Sequence, residues 1–497
     1  MATLQRGADG FYHPATEDEI RSLIEHAAQE GLKIRVRGSG HSVDAAIYTG
    51  DFPRPPDDSR DINIFLDKMR GLTFDDANMQ VTAQAGCHLT ADPTDPTGTS
   101  TVESGLFYQI DQKGWALPVT GGVSHQTVAG FISTGSSGGS YRHTVDRQII
   151  GIRLIDGTGK ICDLKRSDNP DDLFFAAGVS MGLLGIITAV TFQCVPRYDI
   201  QGIETTATYT TSEIDLFGAG NGKPSLQAFL SETEYTRVMW WPQPGVEKVV
   251  VWKAERLPVT PPDFKRKPYH EFPAILGTEL PGQLLSALLF RLFGSVNPPE
   301  PSAGIGKLTA SLLKRLYPLL LNGFLASGIK GVQRFQDTWW QGLPADNNVD
   351  YDLITTRFHE VWIPLSKTAE ALAALRDHQR AKGFAATGTL PIEIKPTPRS
   401  DFWLNPAYHE DVIKMDTLWF TTNPGDLLVD YYPQFWELLR PFDYRLHWGK
   451  ALSGDVAYLK SRYPRWDDFM ALRQQMDPQQ IFVTEYWRIN MGIPAAS

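Results

Sequence analysis

Three glycine-rich loops, each joined to a strand-like run, punctuate the N-terminal part of the chain and constrain its fold more than any other feature. The first lies in "KIRVRGSGHS", Lys33 to Ser42, where an alternating run ends in Gly38, Ser39, Gly40 and Ser42 around one large side chain, His41. The second, "VTGGVSHQTVAGFISTGSSGGSYRH", carries Gly121, Gly122, Gly130, Gly135, Gly138 and Gly139 among Thr127, Ser133, Thr134 and Ser137. The third, "GVSMGLLGIITAV", sets Gly182 and Gly185 directly before a β-branched run that includes Ile187. Residues without side chains let backbone N–H groups approach an anion closely, so three such loops predict backbone packed along an extended, phosphate-bearing ligand, with Arg37 and Ser42 as side-chain donors. Ordinary tight turns are the competing explanation. "GSGHSV" does not meet the G-x-G-x-x-G dinucleotide fingerprint and lacks its strand–loop–helix context, which disfavours a nicotinamide cofactor in a Rossmann domain.

The elements around the loops are legible. Thr16 and Glu19 form a capping box, Ile20, Leu23, Ile24 and Ala27 share one helical face, and Gly31 ends the pattern. From Gln80 onward short strand-like pieces follow: "QVTAQAG", "GIRLIDGTGKICDL" with an Asp156-Gly157 turn, and "IITAVTFQCV". Proline-rich connections at "PQPGVEK", "LPVTPPDFKRKP" and "SVNPPEPSAG" break up a second region. At 497 residues the chain is too long for one core. The expected division is an α+β domain over 1–198, a substrate or cap domain over 199–440, and a C-terminal helical segment over 441–497.

Charge and cysteine usage exclude several classes. The formal charge of −10 comes without any run of like sign, so nucleic acid is not expected as a partner. Cys87, Cys162 and Cys194 are scattered and odd in number, which fits neither a disulfide framework nor a metal site and suits a reducing cytoplasm. The N-terminus turns acidic before any apolar run and reads as neither signal nor transit peptide. Two leucine-rich stretches, "LPGQLLSALLFRLFG" and "LTASLLKRLYPLLLNGFLASG", are cut by Arg291, Lys314, Arg315 and Pro318, and each falls short of the ~20 apolar residues of a spanning helix. They are read as core helices, with a weak membrane-resting or partner-binding face as the alternative.

Taken in order, "RGSGHS", "VAGFISTGSSGGS" and "DNPDDLFFAAGVSMGLLGIITAVTF" resemble the PCMH-type FAD-binding domain of the vanillyl-alcohol oxidase superfamily, while "RLHWGK" with "DPQQIF" is similar to its aldonolactone and alditol oxidase branch. The resemblance covers roughly Ile20 to Val195 and Pro391 to Tyr486. It implies a two-subdomain FAD-binding domain, a cap domain with a large antiparallel sheet flanked by helices, and FAD along the three loops. In branch members with a covalent flavin the histidine of the first loop bonds the 8α-methyl carbon, which implies that role for His41. A loop histidine that merely hydrogen-bonds phosphate or water is the alternative.

On the substrate side, "PIEIKPTPRSDFWLNPAYHED" resembles the branch's strand in which an acid and a base two residues apart face the flavin, here Glu393 and Lys395, which alternation puts on one side. The branch usually has arginine at the second position, and lysine loses the bidentate fork. A solvated strand face is the alternative for this pair. "HWGK" matches the branch in full, which implies that Lys450 stabilises negative charge at the reduced flavin or holds the substrate oxygen, with His447 a participant or a satisfied core histidine. Where relatives read G-T-H-G-[ST]-G this chain has "GSSGGS", so Ser137 and Gly139 replace groups that can touch a polyol. Trp339, Trp340 and Trp362 either wall a pocket or fill a core.

The resulting expectation is an FAD-dependent oxidase of a CH–OH group in a sugar, lactone, polyol or glycoside. Glu393 is the first choice of base and His447 the second, Lys395 and Lys450 hold the oxygen, and O2 is reduced to hydrogen peroxide. The alternatives are a dehydrogenase with a quinone or protein acceptor, a bulkier apolar alcohol such as a sterol, and a binding flavoprotein with an inactive site.

Overall fold

The capping box forms as read. In the computed structural model, which describes residues 4–50, 60–257, 263–272, 274, 278–294, 306–328, 331–421 and 425–495, helix α1 (Glu17–Glu30) begins with Thr16 Oγ1 accepting from the Glu19 N–H at 3.2 Å. It ends at Gly31 in the left-handed region, φ 68°. Its buried face, Ile20, Leu23, Ile24 and Ala27, lies in the core beneath strands β1 (Ile34–Arg37) and β2 (Ile62–Phe65), which pair in parallel with Ile34 opposite Ile62. The first glycine loop leaves the end of β1.

A five-stranded antiparallel sheet stands beside this unit, built from β3 (Leu72–Asp75), β4 (Gln80–Gln84), β5 (Ile149–Ile155), β6 (Ile161–Lys165) and β7 (Ile186–Gln193) in the order β3-β4-β7-β5-β6. The Asp156 turn joins β5 to β6, with the Asp156 carboxylate accepting from the backbone of Thr158 and Lys160 at 2.9 and 3.0 Å. The second glycine segment, read as loop throughout, instead folds in its middle into helix α2 (Val128–Ser133), because Thr127 Oγ1 accepts from the Gly130 N–H and caps it.

The second sheet has eight strands: β8 (Asp199–Thr208), β9 (Tyr235–Trp241), β10 (Lys248–Leu257), β11 (Val332–Thr338), β12 (Thr356–Pro364), β13 (Ile392–Thr397), β14 (Val412–Phe420) and β15 (Arg445–Leu446), ordered β11-β8-β10-β9-β13-β14-β12-β15. The C-terminal residues then return to the first unit. The Ile34 N–H donates to the Ile481 carbonyl at 2.7 Å, and Trp487 Nε1 donates to the Ala46 carbonyl at 3.0 Å. Chain ends and middle thus close one groove.

The leucine-rich stretches form α3 (Leu280–Gly294) and α4 (Lys307–Gly328), and the reading of them as core helices needs correction. Phe290, Phe293, Tyr317, Leu321 and Leu325 pack into a small second core with Met239 and Trp241. Ten leucines on the opposite faces are exposed. Trp339 and Trp362 are fully buried and Trp340 nearly so, which settles the tryptophans as core. The three cysteines are buried free thiols. Among the described residues no helix is long and apolar enough to cross a membrane. "SVNPPEPSAG" and part of "LPVTPPDFKRKP" lie outside the described residues.

Candidate active site

The first and third glycine loops and α2 meet along one groove. Arg37, Gly38, Ser39, Gly40, His41 and Ser42 line one wall, Gly182, Gly185 and Ile187 another, and Thr127, Gly130, Ser133 and Thr134 a third, enclosing about 1030 Å³ with the open mouth included. Glycine is required where loops touch: a Cβ on Gly38 would lie 2.3 Å from Thr127 Oγ1, and one on Gly185, at φ 150°, would lie 2.4 Å from the Ile155 carbonyl.

Arg35 fastens the walls together and was not legible as a site residue. It is buried beneath the groove, its Nη2 donating to the carbonyls of Ala46 at 2.6 Å and Met181 at 2.8 Å, and its Nη1 to that of Phe482 at 3.3 Å. One guanidinium therefore ties the segments after β1, before β7 and at the C-terminus. Burial lowers its pKa to about 10.

Not every predicted glycine faces the groove. Gly121, Gly122 and Ser137 line the adjoining cleft. Gly135 packs on Asn405 and Pro406, and a Cβ on Gly138 or Gly139 would stand 2.2 Å from the carbonyl of Thr120 or Thr236. These last three serve close chain-to-chain packing, a second reason for glycine that sequence cannot separate from ligand approach.

His41 stands where groove and cleft adjoin, since it lines both. Its ring lies 5.9 Å from that of His125, whose carbonyl accepts from Ser39 Oγ at 2.7 Å and fixes the loop. Burial first, then the neighbouring His125 and Lys450, lower the His41 pKa to about 4. The imidazole is neutral near pH 7, and its Nε2 is buried with no hydrogen-bond partner.

Beyond His41 the cleft is walled by one face of the eight-stranded sheet, on which ionisable side chains stand in cross-strand rows. Glu393 on β13 is paired with Asp416 on β14, and Asp416 with Glu360 on β12. His447, beyond β15, donates its backbone N–H to the Glu360 carbonyl at 3.2 Å and extends the row. Two residues along each strand runs a basic row: Lys395 is paired with Lys414, Lys414 with Trp362, and Arg237 on β9 falls in line by the register that sets Val238 against Ile394. Directly opposed side chains have Cβ atoms roughly 5 Å apart, so each group feels its neighbours strongly.

Ion pairs bind the rows to a loop. Lys395 Nζ lies 2.8 Å from Glu393 Oε1 and 3.1 Å from Asp346 Oδ2, while the buried Arg237 donates to Asp346 Oδ1 at 2.7 Å and sits 3.6 Å from Glu393. Gly122 makes room for this: a Cβ there would meet Lys395 Nζ at 2.8 Å and Asp346 Oδ2 at 2.9 Å. Lys414 Nζ donates to the Ser137 carbonyl at 2.6 Å and holds the second glycine segment against the cleft. The Ser137 hydroxyl is buried without a partner.

The environments drive the carboxyl groups apart. Burial, then Glu360 and Glu393 on either side, push Asp416 well above the usual carboxylate range, which favours its protonated form. Burial also raises Glu360, but His447, Lys414 and Lys450 outweigh it and hold the group below the usual range. Burial and the Asp346 carboxylate raise Glu393 against the pull of Lys395 and Arg237. Such separation of neighbouring carboxyl groups is how one site holds both an acid and a base.

His447, the second choice of base, lines the same cleft. Its Nδ1 accepts from the Gly449 N–H at 3.0 Å, and burial lowers its pKa to about 4 against the opposing Glu360. A neutral ring so bonded carries its proton on Nε2 and offers a donor. Arg237, Asp346, Glu360, Lys414 and Asp416 went unread, although "IKMDT" repeats the charged alternation of "IEIKP".

Comparison with known proteins agrees with this architecture. A family model described as D-arabinono-1,4-lactone oxidase matches residues 190–490, and one described as FAD binding domain matches 8–91. The chain is 26% identical over 494 residues to L-gulonolactone oxidase of Bos taurus, covering 96% of this chain and 93% of the relative. It is 26% identical over 488 residues to L-gulono-1,4-lactone dehydrogenase of Mycobacterium tuberculosis, covering 96% and 95%. Among solved structures, cholesterol oxidase from Brevibacterium sterolicum superposes with a TM-score of 0.67 at 16% identity, covering 97% of this chain and 93% of the other, and establishes the fold alone.

Proposed function

The chain belongs to the D-arabinono-1,4-lactone oxidase family, and from that membership we propose that its cleft oxidises the CH–OH group of a sugar lactone, with FAD held in the adjoining groove. The observation that carries this reading is the cross-strand ladder of Glu393, Asp416 and Glu360 beside Lys395, set against the groove at His41. The backbone of Gly38–Ser42 and the Gly182–Ile187 turn would hold the cofactor. When bound, FAD would supply a two-electron acceptor for the substrate's hydride and a route for those electrons to oxygen, with hydrogen peroxide as the product.

The chain's own residues manage the proton and the developing charge. Glu393 is the base for the hydroxyl proton: it lies beside Lys395 in the cleft, whereas the surroundings of Asp416 favour its protonated form and those of Glu360 favour the anion. Lys395 and Lys450 face the same cleft and hold the substrate oxygen as it becomes a carbonyl. His447 Nε2–H is a further donor to that oxygen or to the lactone ring. The His41 imidazole is the attachment point for a covalent flavin, supported by its neutral, unpartnered Nε2. Three buried free thiols support a reducing, cytoplasmic setting.

The test is anaerobic reduction of the flavin by a panel of aldonolactones, polyols and glycosides, followed by exposure to air. Bleaching by lactones and peroxide release on reoxidation are expected; a panel that leaves the flavin oxidised refutes the reading. A second reading changes only the acceptor, since one relative is named a dehydrogenase and an apolar recess lined by Met239, Trp241, Phe290, Ile354 and Leu418 opens beside Glu393. Reoxidation by a quinone much faster than by oxygen would favour it.

A further inference from the structure

The sheet face that walls the cleft changes character along its strands. Next to the basic row of Arg237, Lys395 and Lys414 runs the row of Glu393 and Asp416, in which Met239 already stands opposite Glu393. Two residues further on come Trp241 of β9 and Leu418 of β14, on the same face by alternation. Helix α3 closes this end: the Phe290 ring stacks on that of Trp241, centroids 6.5 Å apart and planes at 23°. Between these side chains and Ile354 lies a recess of about 760 Å³, its mouth included. Protein interiors are packed so closely that voids larger than a water molecule are few, so an apolar hollow of this size beside the proposed base calls for an occupant.

The chemistry of the wall selects that occupant. Asp346, Tyr351, Thr356 and Glu393 line both the recess and the cleft, which makes the two one continuous space. Polar groups at the junction are already engaged. Asp346 accepts from Arg237 at 2.7 Å and from Lys395 at 3.1 Å, Glu393 pairs with Lys395 at 2.8 Å, Glu271 accepts from Tyr269 at 2.6 Å, and Thr356 Oγ1 donates to the Ile354 carbonyl at 2.9 Å. A sugar hydroxyl carried past them would lose its water and gain little, which costs binding, whereas an alkyl chain gains from the same burial. Trp241 adds one donor, an indole N–H buried with no partner among the described residues, which an acyl carbonyl would satisfy.

An electron acceptor is the poorer match. The recess and the FAD groove share no lining residue among those described, so a molecule seated in the recess meets the cofactor only by extending through the cleft past Glu393. That is the path of a substrate whose reacting carbon lies beside the base.

Resting on the lactone-oxidase reading above, we propose that the substrate is a sugar lactone bearing an acyl chain, with its CH–OH group beside Glu393 and the chain in the recess. The test is anaerobic flavin reduction of the FAD-loaded protein by L-gulono-1,4-lactone and by its acetyl, butanoyl, hexanoyl, octanoyl and decanoyl esters at the terminal hydroxyl. Each buried methylene strengthens binding roughly fourfold, so the apparent Kd should fall at least about thirtyfold from the acetyl to the hexanoyl ester, then level off as the recess fills. The limiting rate of reduction should stay within about threefold across the series, because the chain is remote from the reacting carbon. Leu418→Trp, which fills the recess, should compress the gain between acetyl and hexanoyl to less than about threefold, and Leu418→Ala should move the tightest member to a longer chain. If no member of the series bleaches the flavin, the oxidase reading falls and this inference with it. If the lactones bleach it with an apparent Kd that is flat along the series, the oxidase reading stands and the recess assignment alone is overturned. A Leu418→Trp variant that keeps the full chain-length gain but slows reoxidation by a quinone would give the recess to the acceptor instead.

Discussion

Replacing Glu393 by glutamine isolates the proposed base. Glutamine keeps the size and shape of the side chain, and Lys395 retains Asp346 at 3.1 Å, so the ion-pair network loses one partner and stays closed. FAD binding and thermal stability should change little. General-base catalysis by a placed carboxylate is worth roughly 10²–10⁴ in rate, which at about 1.36 kcal/mol per decade is ~3–5 kcal/mol of barrier. The assay is single-turnover flavin reduction by a lactone under anaerobic conditions, read at the flavin absorbance as a function of pH. In the wild type the rate should fall as pH drops through the raised Glu393 range, because the protonated acid cannot accept the hydroxyl proton. In Glu393→Gln the rate should be lower throughout and flat across that range. A variant reduced within about threefold of wild type, with the same pH profile, would refute the assignment.

Asp416→Asn should cost less than about threefold in the same assay, since the amide imitates the protonated carboxyl that its surroundings favour; a loss as large as that of Glu393→Gln would reverse the two roles. Gly122→Ala pushes on Lys395 Nζ and Asp346 Oδ2 and should slow reduction by up to roughly 10²-fold through displacement of the cation, with FAD content unchanged by absorbance. His41→Ala should abolish flavin fluorescence in the acid-denatured protein band, and persistent fluorescence would place the attachment elsewhere. His41 and His447 both titrate near 4 when folded and near 6.5 when unfolded, so the stability each confers is complete above ~6.5 and is lost as pH falls toward ~4. Urea melts of His447→Gln should accordingly lose about 3 kcal/mol less than wild type between pH 7 and 4.

The reading of particular residues shows where sequence suffices. The capping box at Thr16, the Asp156 turn and the position of His41 depend on neighbours a few residues away, and local rules reach them. Glu393 and Lys395 were legible as a same-face pair because strand alternation is also local. Their partners were not. Lys414, Asp416, Glu360 and Arg237 lie on three other strands, and only the β9-β13-β14-β12 order brings them into rows.

The sequence by itself therefore determined the fold class, the glycine loops that line a groove, and the imidazole at its end, all consequences of backbone preference and short-range pattern. Tertiary structure decided which carboxyl is pushed toward its protonated form, which glycines face the groove rather than a neighbouring chain segment, and which face of each leucine-rich helix is covered. The physical reason is common to all three. Proton affinity, steric clearance and burial depend on what lies within a few ångströms in space, and strand pairing between residues far apart in the chain sets those neighbours.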